Sequence, residues 1–122
     1  MDLELSTRPL GARALVTVGG EVDLETASQL GDQALAALRD VSPHLVLDMS
    51  GVTFMDSTGL KVLLSVQHRA DLAHGSLAVV GTTRPVRRIL ELTGLADAFA
   101  LYDTLDDVPD PPTVSGDAAP TT

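Results

Sequence analysis

The chain has no cysteine and no tryptophan, and its 122 residues include only two phenylalanines and one tyrosine. Without cysteine there is no disulfide framework and no thiolate chemistry, which fits a reducing compartment. So few aromatics argue against stacking of nucleic-acid bases. They also leave the core to Val, Leu, Ile and Ala. Basic residues are scarce too: eight against seventeen acidic ones, for a formal net charge of -9. A phosphate backbone or an anionic membrane surface would repel such a chain, so a protein with a basic patch is the expected partner.

Long hydrophobic runs are also missing. Nothing approaches the roughly eighteen consecutive apolar residues of a spanning helix. The opening MDLELSTRPL lacks the basic start and apolar stretch of a secretory signal. The expectation is a soluble, cytoplasmic protein. Its length suits one domain with a single core, and a hydrophobic share of 44% is enough to fill it.

What is present alternates in character. LELST, Leu3 to Thr7, has the period of a strand and could pair across RPLGAR with ALVTVGGEVD, which begins as a β-branched strand and breaks at Gly19-Gly20. Leu24, Ala27, Leu30, Ala34, Leu35, Leu38 and Val41 then recur at helical spacing, with Asp23 or Thr26 as the cap. HLVLDMS, His44 to Ser50, reads as a strand buried on both faces. From Leu60 to about His74 a second helical stripe appears, built on Leu60, Leu63 and Leu64, with Gly75 placed as its left-handed end. SLAVVGT is another strand, Ser76 to Thr82. TRPVRRILELTGL is a helix with Pro85 in its first turn and Gly94 at its end; Ile89 and Leu90 face inward, Arg87 and Arg88 outward. AFALYDT adds a last short strand. The acidic cluster Asp103, Asp106, Asp107 and Asp110 reads as a solubilising boundary to the tail. From Pro109 the tail holds four of the seven prolines and reads as disordered, so the domain is expected to span residues 1–108.

The pattern describes an α/β domain: a mixed, mostly parallel sheet of four to five strands with helices packed on one side. The stretch MDSTG, Met55 to Gly59, then lies beyond the carboxyl end of a central strand, where open α/β sheets place function. Ser57 and Thr58 admit four roles there. A nucleophile is disfavoured, because Met55 replaces the first glycine of G-x-S-x-G and no histidine lies within obvious reach. A phosphate-cradling loop is disfavoured by its single glycine and by Lys61 lying at the wrong offset. The histidines show no metal spacing. Helix cap and phosphoacceptor both remain open. A phosphate at a helix start brings about -2 charge to the positive end of the dipole, which the fold tolerates while the surface changes sharply beside Asp56.

Three segments resemble a known family: GEVDLETA, Gly20 to Ala27; LVLDMSGVTFMDSTGL, Leu45 to Leu60; and RPVRRILELTGL, Arg84 to Leu95. In this order and spacing they resemble the STAS domains, in particular the bacterial anti-sigma factor antagonists. The resemblance implies a binding protein, not an enzyme. Its partner would be an anti-sigma factor that is also an ATP-using serine kinase. Phosphorylation would end binding, and a PP2C-type phosphatase would restore it. By motif position the acceptor is Ser57, preceded by Asp56; many members carry serine where this chain has Thr58, which leaves a second possible acceptor. The implied docking surface comprises Asp23, Asp56, Ser57, Thr58, Gly59 and the exposed start of the helix near Lys61. The nucleotide belongs to the kinase, so no cofactor and no metal are expected on this chain. No unpaired apolar stripe points to an obligate dimer, and a monomer is expected. The alternative is a STAS interaction module in a signalling or lipid-transport complex without a sigma factor.

Overall fold

The computed structural model describes residues 2–111. Of the tail expected to be disordered, 112–122 lie outside the described residues. Five strands form one sheet in the order β1-β2-β3-β4-β5. They are β1 (Leu3–Leu10), β2 (Arg13–Val22), β3 (His44–Met55), β4 (Ser76–Val80) and β5 (Ala100–Tyr102). The β1–β2 pair is antiparallel and the other three pairs are parallel. Three helices make the crossovers: α1 (Ala27–Asp40), α2 (Ser57–Leu72) and α3 (Arg84–Thr93). Each crossover moves one strand in the same direction, so connections of one hand put all three helices on one face.

That face carries the main core. Val16 and Val18 of β2, Leu45, Leu47 and Met49 of β3, and Leu77 and Val79 of β4 pack in one cluster with Leu30, Leu63 and Leu90 of the helices. Each fully buried Val or Leu contributes about 1.5–3 kcal/mol through removal of apolar surface from water. The opposite face is smaller but also covered. Leu15, Val46, Ala78 and Val80 pack there with Leu10, Tyr102, Leu105 and Val108. Burial on both sides explains why β3 and β4 show no alternation.

Several boundaries differ from those read in the sequence. β1 runs on to Leu10, and a two-residue turn with Gly11 at φ 60° joins it to β2. β2 does not break at Gly19-Gly20 but continues to Val22, with shifts in the β2–β3 register on either side of Gly20. Glycine is needed there because β1, β2 and β3 approach closely: a Cβ on Gly20, at φ 100°, would run into the Asp2 carbonyl oxygen. The prolonged β2 gives β3 a partner beyond Ser50, and β3 reaches Met55. α1 starts at Ala27, so Leu24 falls outside its buried stripe and is 79% exposed; Val41, at the other end, is 41% exposed. α2 starts at Ser57, three residues before its apolar stripe. The left-handed residue after it is His74, at φ 57°, not Gly75. Gly75 is required for a different reason: a Cβ there would strike the Pro43 carbonyl, which accepts from the Ser76 N–H at 3.0 Å. Gly94 does end α3 in the left-handed conformation, at φ 72°.

Candidate functional site

The site grows from the register of two central strands. Val22 pairs with Met55 at the carboxyl ends of β2 and β3, so the next residues, Asp23 and Asp56, emerge side by side. The Asp56 N–H donates to the Val22 carbonyl at 3.3 Å, which ties the two ends together. Asp56 keeps an extended conformation, φ -112° and ψ -170°, and α2 begins at the following residue.

Asp56 is therefore the cap of α2. Its Oδ1 accepts from the Thr58 N–H at 2.9 Å and the Gly59 N–H at 3.3 Å. Of the sequence expectations, the capping role thus belongs to neither hydroxyl residue. The first-turn amides of Thr58 and Gly59 are also not free to favour a phosphate, because a carboxylate already holds both. Ser57 is exposed as the first helical residue and takes no part in the cap. Thr58 is half-buried. Gly59 is buried and packs where a Cβ would lie 2.6 Å from Met55 Cγ and 2.8 Å from Val22 Cγ1. It sets how closely α2 sits on the strand ends and has no side chain to offer a ligand. Lys61 is exposed one helical turn after Ser57, on the same face.

Asp23 organises the neighbouring turn rather than capping α1. Its Oδ1 accepts from the Glu25 N–H at 2.9 Å, the Thr26 N–H at 3.1 Å and the Thr26 hydroxyl at 3.1 Å. Thr26, buried at the start of α1, donates its hydroxyl to the Glu21 carbonyl at 2.6 Å. Desolvation pushes the Asp23 carboxyl upward, but the amide and hydroxyl of Thr26 and the amide of Glu25 outweigh it. The carboxyl rests below its ordinary range and is ionised at neutral pH.

Two open grooves flank Phe54, the residue before Met55. One, of about 500 Å³, is lined by Met55, Asp56 and Ser57 on one side and by Arg84, Ile89 and Leu92 among others on the other. The second, of about 520 Å³, lies between Phe54 and the Asp23 turn, with Glu21, Leu24, Glu25 and Asp56. Phe54, Leu24 and Leu92 are 45%, 79% and 72% exposed, and these three of the five large exposed apolar side chains among the described residues all border the grooves. Apolar surface gathered in one place around polar groups marks an interaction site. Phe54, Leu24, Leu92, Arg84 and Arg88 were not among the site residues expected from the sequence. The available signal was that Leu92 is apolar yet out of phase with the buried Val86 and Leu90 of its helix; Leu24 keeps the helical spacing of its segment and is exposed because α1 starts only at Ala27. Among the described residues, no group of three His, Asp or Glu side chains could hold a metal ion.

This arrangement can be set beside known proteins. The STAS domain model matches residues 6–108. The chain is 35% identical over 94 residues to the anti-sigma-F factor antagonist RsfB of Mycobacterium tuberculosis, covering 77% of this chain and 76% of that one. It is 31% identical over 104 residues to the anti-sigma F factor antagonist of Paenibacillus polymyxa, covering 84% and 89%. The crystal structure of an anti-sigma factor antagonist from Mycobacterium paratuberculosis superposes with a TM-score of 0.78 at 36% identity, over 87% of this chain and 90% of that one. By family model, by sequence relatives and by architecture, the chain belongs to the STAS domain family.

Proposed function

We propose that the chain is an anti-sigma factor antagonist. Unphosphorylated, it binds an anti-sigma factor that is also a serine kinase and so releases a sigma factor. Phosphorylation of Ser57 switches that binding off, and a PP2C-type phosphatase restores it. The protein acts in the cytoplasm as a monomer, through binding rather than turnover, and the nucleotide of the cycle is the kinase's. Sequence relatives named as antagonists support this assignment.

The observation that carries the switch is the placement of Ser57: exposed, outside the cap, beside Asp56, and on the wall of an apolar groove. A partner covering the two grooves would meet Phe54, Leu24 and Leu92 at its centre. Asp23 and Asp56 would sit at its edge, with Thr58 and Lys61 on the exposed start of α2. Gly59 contributes by holding α2 in place. A phosphate on Ser57 adds bulk and about -2 charge inside that footprint. Thr58, half-buried, is the less accessible hydroxyl.

The test mixes the protein with its kinase and Mg-ATP and follows intact mass and complex formation. One phosphate is expected, absent in Ser57→Ala, together with loss of the complex. Ser57→Asp is expected to remain folded and to bind poorly. An unmodified chain, with a kinase active on other antagonists, would point instead to a STAS interaction module that serves no sigma factor.

A further inference from the structure

We infer that a phosphate on Ser57 is received within the same chain by Arg84 and Arg88 of α3, and that this closes the groove beside Phe54. This deepens the switch proposed above and rests on Ser57 being the acceptor. The start of a helix ordinarily offers free amides to an anion. Here Asp56 has taken those of Thr58 and Gly59, and its carboxylate repels a second anion one residue away. Across Phe54 the other groove adds Glu21, Asp23 and Glu25. A phosphate on Ser57 is thus held largely among acidic groups; Lys61, one turn on along α2, offers a single charge, and a pair of cations lies across the groove.

Arg84 and Arg88 border the groove that Ser57 lines. They stand four residues apart on α3, so both guanidinium groups leave one face of the helix. The ion pairs among the described residues are Arg13 with Asp110 and Arg39 with Asp40, which leaves Arg84 and Arg88 without one. Both arginines also border a second depression, shared with Arg87 and Glu91, so they form the ridge between the two. Swinging toward Ser57 requires only rotation of exposed side chains. Guanidinium binds phosphate in a bidentate manner, and the apolar floor of Met55, Pro85 and Ile89 strengthens the attraction relative to open water. Two arginines drawn across a space of about 500 Å³ then occupy it. The partner would be shut out by a filled groove as well as by charge.

The test installs phosphoserine at position 57 during translation, so that no kinase is involved, and titrates the phosphate by ³¹P NMR. An exposed phosphoserine loses its second proton near pH about 6. In the full chain that ionisation is expected to fall by about 0.5–1 unit through the two opposite charges. Arg84→Ala with Arg88→Ala is expected to return it to the value of a phosphoserine peptide, whereas Arg87→Ala and Lys61→Ala leave it shifted. Amide signals of Ile89 and Leu92 should move on phosphorylation in the native chain and stay in place in the double variant. All four side chains are exposed, and circular dichroism checks that each variant is folded. A peptide-like titration in the native chain overturns the inference, and so does a shift that survives the double variant. If the capture is seen but the kinase leaves Ser57 untouched, the capture stands and the switch does not.

Discussion

Asp56 uses one carboxylate oxygen for two amides, those of Thr58 and Gly59, and so leaves the adjacent Ser57 hydroxyl outside the cap. The two residues can therefore be separated by substitution. Asp56→Ala is expected to lower stability by about 1 kcal/mol, as loss of a cap does, measured by urea unfolding. Ser57→Ala should stay within about 0.5 kcal/mol of the native chain in the same measurement while abolishing phosphorylation. Local sequence offers Asp56, Ser57 and Thr58 as equally good caps. The choice falls on Asp56 because β3 delivers it in an extended conformation, fixed by pairing with Val22, 33 residues before Met55. No local pattern contains that pairing. Asp23 is open to a pH test. Its carboxyl titrates below the ordinary value, so the stability it brings is present above the unfolded pKa, about 3.9, and is lost as pH falls through the folded one. The stability gap between the native chain and Asp23→Ala should be constant near neutral pH and shrink as the pH drops below about 4.

α2 depends on close approach at both of its ends. At the start, Gly59 lies against Met55 and Val22. Gly59→Ala is expected to cost about 1–3 kcal/mol by overpacking. Combined with Met55→Ala, the loss should be smaller than the sum of the two single losses, because both act on the same space; a double-mutant cycle in denaturant measures this. Beyond the helix end, Gly75 makes room for the Pro43 carbonyl, and the chain turns at His74 instead. The sequence showed the existence and type of the three α-helices and five strands, since most of the apolar positions read for α1, α2 and α3 lie on their buried faces, but not the short 3-10 turns Ala96–Ala98 and Leu105–Asp107. It placed Gly75 for the wrong reason, because a glycine needed for conformational freedom and one needed for space look alike on paper. The extension of β2 through Gly19-Gly20 was hidden for a similar cause: strand propensity fails there, and it is pairing with β1 on one side and β3 on the other that holds the backbone extended.

At the scale of the whole molecule, the sheet has a thick side and a thin one. The three helices cover the first; a short segment after β5, anchored by Leu105 and Val108, covers the second. Asp107 accepts from the Thr104 N–H and hydroxyl and so shapes the turn within this segment, while Arg13 of β2 reaches across to the Val108 carbonyl and to Asp110. Val108→Asp is expected to cost about 1–2 kcal/mol and to increase binding of a hydrophobic dye, with the fold's helical signal retained. Partner binding at the Ser57 end should be unchanged, since the segment lines neither groove beside Phe54. The order of strands across the sheet is the order of strands along the chain. As the polypeptide leaves the ribosome, each new unit can therefore join the edge left by the one before. Ser57 emerges with the third strand, but the wall carrying Arg84 and Arg88 follows only after the fourth. An unfinished chain presents the serine with only one of the two grooves beside Phe54 complete.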